Sequence, residues 1–112
     1  MQRNKVLSYL GLATRAGRVM SGEFCVEKSV RQHRAKLVLV SEDASETSKK
    51  NFRNICAYYQ VPLYFFGSRE ELGAACGKAA RVSAAIEDEG LATAAIRELN
   101  QKSGIGGSKY VE

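Results

Sequence analysis

Tryptophan is absent from this sequence, and proline and histidine each occur once. A single histidine leaves Cys–His metal clusters and Cys–His catalysis little to draw on. Three cysteines, Cys25, Cys56 and Cys76, are an odd, widely spaced set with no Cys-x-x-Cys pair. That spacing argues against both a disulfide framework and a zinc site, and each thiol is expected buried or half-buried. No apolar run approaches the roughly 20 residues of a membrane span, and no secretory apolar segment follows Met1. Neither a Gly-x-Gly-x-x-Gly nor a Gly-x-x-x-x-Gly-Lys loop occurs. No nucleophile stands beside a base, and no carboxylate pair sits in a catalytic frame. The expectation is a non-enzymatic, cytoplasmic protein with no cofactor and no metal.

What is present is one globular domain's worth of chain, 112 residues with 45% apolar content, and an excess of cations. The net charge of +5 is unevenly placed. Residues 1–53 carry 11 Lys and Arg against 5 Asp and Glu, while 54–112 carry 6 against 7. A basic first half favours a nucleic-acid partner over a merely soluble surface.

Apolar periodicity organises the chain as alternating helices and strands. Val6, Leu7, Leu10 and Ala13 mark a helix over 4–15 that Gly17 ends, and 18–21 is a short extended link. A second helix is expected over 22–34, with Val26, Val30 and His33 on its inner side. Leu37-Val38-Leu39-Val40 reads as a strand buried on both faces. Phe52, Ile55, Cys56 and Tyr59 mark a third helix, and 61–66 a strand with Pro62 near its start. Ser68-Arg69-Glu70-Glu71 is a capping box opening a short helix over Leu72, Ala75 and Cys76 that Gly77 closes. A strand over 81–86 and a helix over 90–101 complete a domain spanning 1–103, and 104–112 reads as a flexible tail. The fold class this implies is α/β, a central sheet with helices on both faces.

Two segments carry candidate binding chemistry. In Ser21-Gly22-Glu23-Phe24-Cys25-Val26-Glu27-Lys28, helical spacing sets Phe24, Lys28 and Arg31 opposite the two valines. An outward aromatic among cations suits base stacking and phosphate pairing, and a helix start adds free N–H groups. Taken alone, the segment favours a plainer reading that folds Phe24 onto a neighbouring loop and leaves Lys28 solvated. In the second segment, Lys78 and Arg81 flank Ala79 and Ala80 after Gly77. Small residues between cations allow close approach to another surface, as would an ordinary helix-to-strand connection. Other features have plainer readings. His33 is expected in the core, Tyr58-Tyr59 and Tyr64-Phe65-Phe66 as structural aromatics, Glu87-Asp88-Glu89 as a solvated turn, and Lys49, Lys50 and Arg53 as an exposed helix face.

Taken in order, Gly22…Lys28, Ala35 to Val40, Glu42-Asp43-Ala44-Ser45, and Glu71-Leu72-Gly73-x-x-Cys76-Gly77-Lys78-x-x-Arg81-Val82 resemble the kink-turn RNA-binding ribosomal proteins of the L7Ae and L30e type. The similarity runs from about residue 4 to residue 101. Leu10 to Ala16 resembles the opening of the stand-alone bacterial, YlxQ-like branch. The resemblance implies a three-layer α/β/α sandwich with a mixed four-stranded sheet, a chain that is monomeric when free, and a structured RNA partner such as ribosomal RNA. It also implies an RNA surface built from three parts. These are Gly22, Glu23, Phe24, Cys25, Lys28 and Arg31 at the second helix, Asp43 and Ser45 in the middle loop, and Lys78, Ala79, Ala80, Arg81 and Val82 before the last strand. The family signature reads Gly-x-Asn-Glu-x-x-Lys, and its Asn and Glu approach the guanines of sheared G·A pairs. Here Phe24 and Cys25 stand in those places and cannot make the same hydrogen bonds. The departure implies RNA binding with reduced G·A discrimination, stacking taking its place. A protein-docking module anchored on Phe24, or an accessory substrate-binding subunit of an RNA-modifying enzyme, would satisfy the same composition.

Overall fold

The structure is a computed structural model that describes residues 2–103. The tail expected from Gly104 lies outside the described residues. In chain order the elements are α1 (Gln2–Arg15), β1 (Val19–Ser21), α2 (Glu23–Arg31), β2 (Leu37–Val40), α3 (Glu46–Tyr59), β3 (Leu63–Phe65), α4 (Arg69–Ala75), β4 (Ser83–Ile86) and α5 (Glu89–Ser103). The strands form one mixed sheet in the order β1-β4-β2-β3, with β2 and β3 parallel and the other two pairings antiparallel.

The sheet is the middle layer, and strand alternation divides its side chains between two cores. Leu37, Leu39, Ala84 and Ile86 face α1, α4 and α5, packing with Val6, Leu10, Leu72 and Leu99. Val38, Val40 and Ala85 face α2 and α3, packing with Val26, Val30, Phe52 and Cys56. All four β2 residues are fully buried, as expected for a strand covered on both sides. Each such side chain contributes about 1.5–3 kcal/mol of burial.

Helix ends explain where the sequence reading held and where it ran over. The 68–71 capping box forms: Glu71 N–H donates to Ser68 Oγ, and Ser68 N–H to the Glu71 carboxylate. Gly17 and Gly77 close α1 and α4 with positive φ. The second helix, expected to reach 34, stops at Arg31. His33 takes the left-handed conformation (φ 61°), donating its N–H to Val30 O while Arg34 N–H reaches Ser29 O. This is a Schellman stop without its usual glycine. His33 is therefore exposed rather than in the core, its ring meeting Tyr59 edge-on. Gln60 ends α3 in the same way.

The acidic run after β4 also differs from a solvated turn. Glu87 is 5% exposed. Its carboxylate accepts from Ser29 Oγ at 2.7 Å and lies 3.5 Å from Arg34, so burial of the charge is compensated. Asp88 caps α5 by accepting from Leu91 N–H. Among the described residues no helix is long and apolar enough to cross a membrane, and no group of three or more His, Cys, Asp or Glu could hold a metal.

Candidate nucleic-acid interface

β1, β2 and β3 all run toward one edge of the sheet, and β4 begins there. The β1–α2 junction, the 41–45 loop and the 76–82 loop therefore meet at one pole. Hydrogen bonds knit them together. Gly22 N–H donates to Ser83 O, Ser41 N–H to Val82 O, Glu42 N–H to Gly67 O and Arg81 N–H to Arg69 O.

Gly22 is the N-cap of α2 at φ 93°, ψ 149°, a conformation almost confined to glycine. No side chain caps this helix, so the N–H groups of its first turn are left to outside acceptors. Phe24 in that turn is 76% exposed, which rules out the reading in which it folds onto a loop. Lys28 is exposed and pairs with no carboxylate among the described residues. Arg31 follows on α2, exposed and 3.7 Å from Glu27. Cys25 is exposed, not the buried thiol the sequence suggested, whereas Cys56 and Cys76 are buried. Burial pushes the Cys56 thiol up to about 12, and pushes Cys76 upward against the opposing pull of Thr14, Arg81 and Lys78.

Several of the other implied residues have their polar groups engaged within the protein. The Glu23 carboxylate binds α3 through Ser48 Oγ and Asn51 Nδ2. Ser45 caps α3, accepting from Ser48 N–H at 3.1 Å. Asp43 faces Arg69, whose guanidinium lies 3.7 Å from the carboxylate and donates to the Asp43 carbonyl at 3.0 Å. The nearby Ser41 hydroxyl does most to hold the Asp43 carboxyl below its usual range; desolvation opposes it, and the Arg69 N–H and guanidinium add smaller pulls downward. Arg81 donates to Ser21 Oγ at 3.1 Å and to Ala80 O at 2.9 Å, clamping its loop to the end of β1. Lys78 and Ala79 are exposed, and Ala80 and Val82 half-buried.

The path of the 76–82 loop depends on Gly73. A Cβ there would stand 2.6 Å from Ala80 Cα, so the loop backbone crosses directly over the missing side chain. Small residues at 79 and 80 thus serve an internal close approach, which Gly73 permits. Sequence reasoning also missed Ser21, which receives Arg81, and the cation–π contacts of Lys49 and Arg53 with the Phe65 ring. Partners 12 to 60 residues apart in sequence leave no local signal.

Comparison with known proteins agrees with this architecture. The sequence pattern of the ribosomal protein L7Ae/L30e/S12e/Gadd45 family matches residues 4–96. The RNA-binding protein YlxQ of Bacillus subtilis is 48% identical over 91 residues, covering 81% of this chain and 91% of that protein. The large ribosomal subunit protein eL30 of Tetrahymena thermophila is 34% identical, covering 79% and 86%. A Bacillus halodurans protein of unknown function superposes with a TM-score of 0.80 at 38% identity, covering 83% of this chain and 94% of that one. The Giardia lamblia 15.5kD RNA binding protein shares the fold at a TM-score of 0.77 and 20% identity, covering 93% and 89%. With a sheet of this order, helices on both its faces and a match along most of its length, the chain belongs to the ribosomal protein L7Ae/L30e/S12e/Gadd45 family, in the YlxQ-like branch.

Proposed function

We propose that this protein is a non-catalytic RNA-binding protein that meets a bent, internally looped RNA through the start of α2 and the loops beside it. The observation that carries the reading is Phe24: an exposed ring in the first turn of a helix with no side-chain cap, one turn before Lys28, which pairs with no carboxylate among the described residues. Phe24 stacks on an unpaired base, Lys28 and Lys78 pair with phosphates, and the free N–H groups of α2 donate to a further phosphate oxygen. Arg81 acts mainly by holding its loop in place. The likeness to YlxQ and eL30 proteins supports a structured target such as ribosomal RNA. With Phe24 and Cys25 where the family carries Asn and Glu, tandem G·A pairs are recognised by shape and stacking more than by hydrogen bonds.

The test is a titration against a kink-turn duplex and a control with its G·A pairs disrupted, over a range of salt. Both RNAs are expected to bind, with modest discrimination between them. Replacing Lys28 and Lys78 together by Ala should weaken binding and lower the salt slope by roughly 1.8, the value for two lost duplex phosphate contacts. An unchanged slope in that variant would remove the loop pole from the RNA surface.

A further inference from the structure

A second surface begins at Phe24 and Lys28, which it shares with the loop pole, and runs to the far end of the sheet. Two cavities, of about 300 and 490 Å³, share Arg34 and Glu87 and so form one furrow. It follows the outer side of α2 beside β1, an edge strand of the sheet. Phe24 and Met20 line its upper part with Lys28 and Gln32, and Arg18 and Lys36 flank its lower part.

Charge decides what such a furrow admits. The carboxylate at its floor, Glu87, is already neutralised by Arg34 and hydrogen-bonded by Ser29. Arg18 spends one donor on the Glu87 carbonyl, at 3.3 Å, and keeps its charge. Arg18, Lys28 and Lys36 pair with no carboxylate among the described residues. The furrow is therefore cationic along its length, with an aromatic ring at one end. The upper cavity is at the small end of the range for ligand pockets, suited to one planar heterocycle. Gln32 offers an amide that can both donate and accept at a base edge.

We infer that this furrow binds a short single-stranded segment of RNA, one base lying between Phe24 and Met20 and the following phosphates resting on Arg18 and Lys36. This deepens the RNA-binding reading: a strand leaving the structured element at the α2 start would run down α2 to the opposite pole. A duplex cannot enter, because its bases are stacked and paired, whereas an unpaired base offers its face to a ring.

The probe is a fluorescein-labelled decauridine, which has no structured element for the loop pole to recognise. Wild-type protein should bind it with an affinity that falls steeply with salt. Arg18→Ala with Lys36→Ala should cost roughly tenfold at low salt and reduce the slope by roughly 1.4, the value for two single-strand phosphate contacts. Lys36→Ala alone, whose side chain makes no hydrogen bond or ion pair among the described residues, should give about half of each effect with an unchanged melting temperature. Arg97→Ala on α5 is the control and should leave binding as it was. Amide shifts on titration should map to β1, α2 and residues 34–36. The inference is overturned if wild-type binds no decauridine, if the Lys36 and double variants bind as wild type, if Arg97→Ala weakens binding equally, or if an oligoglutamate peptide competes as well as RNA. Loss of duplex recognition with this decauridine profile intact would sink the loop-pole reading alone. The reverse pattern would sink the furrow alone.

Discussion

The loop pole and the opposite end of the sheet differ in charge more than in shape. At the loop pole, Glu23, Glu42, Asp43, Glu46, Glu70 and Glu71 stand among Lys28, Arg69, Lys78, Arg81 and Lys49, and two of those cations are paired. At the other end, Arg18, Arg34 and Lys36 surround Glu87, which is buried and compensated, and the neighbouring Asp88 caps a helix. The first region is stitched together by side-chain hydrogen bonds and owes its form to them. The second has cations to spare on a rigid helix and strand. The difference teaches that the place where loops converge and the place where a polyanion is most strongly attracted need not coincide. The α2 helix joins the two, beginning in one and ending in the other.

Gly73→Ala breaks the comparison most forcefully. The new methyl would meet the backbone of Ala79 and Ala80, which cannot swing aside as a side-chain tip could. Overpacking of this kind costs about 2–3 kcal/mol, to be read from urea unfolding. The loop carrying Lys78 should shift, and affinity for a kink-turn duplex should fall with it. Affinity for decauridine should fall less, because Arg18 and Lys36, which hold its phosphates, line the far end of the furrow and not this loop. Equal losses for both RNAs would mean that the two surfaces are one.

Much of this arrangement was legible in the sequence, for identifiable reasons. The strand at 37–40, the capping box at Ser68 and the glycine stops at 17 and 77 are local chemistry, and each stands where the pattern put it. His33 and Gln60 make the same left-handed stop without glycine, so nothing in the sequence announced that α2 would end at Arg31. The outward face of Phe24 followed from helical spacing against Val26 and Val30. The burial of Glu87 did not, since its partners Ser29 and Arg34 lie more than 50 residues away and a run of three acids reads as solvated. The furrow was hidden for the same reason: only the fold brings Arg18, Arg34 and Lys36 side by side.

Cys25 offers a milder way to sharpen the comparison, because it lines the furrow and belongs to the first turn of α2. It is the exposed thiol of the three. Cys56, pushed up to about 12 by burial, and Cys76, also buried, should stay unreactive while the protein is folded. Treatment with N-ethylmaleimide near neutral pH should give one adduct in native protein and three after unfolding, read by intact mass. The adduct should weaken decauridine binding severalfold by filling the upper furrow. Undiminished affinity in the singly modified protein would place the base elsewhere.

The smallest expected effect concerns Asp43, and it separates structure from binding at the loop pole. Its carboxyl titrates below the ordinary 3.8 in the folded protein, so the unfolded chain takes up a proton first as pH falls. The stabilisation that Ser41 and then Arg69 give the Asp43 carboxylate is therefore complete above the ordinary carboxylate range and lost as pH drops through the lowered folded value. Because the pair is half-exposed, Asp43→Asn should lower the melting temperature only slightly at pH 7. That difference should vanish in strong acid, where wild-type Asp43 is itself protonated. At pH 7 the same substitution removes an anion and frees the Arg69 guanidinium beside the 76–82 loop. If RNA phosphates lie against this pole, duplex affinity should rise despite the small loss of stability, and the salt slope should steepen. A variant that is slightly less stable but binds the duplex as wild type does would leave Asp43 and Arg69 a purely structural pair, outside the RNA footprint.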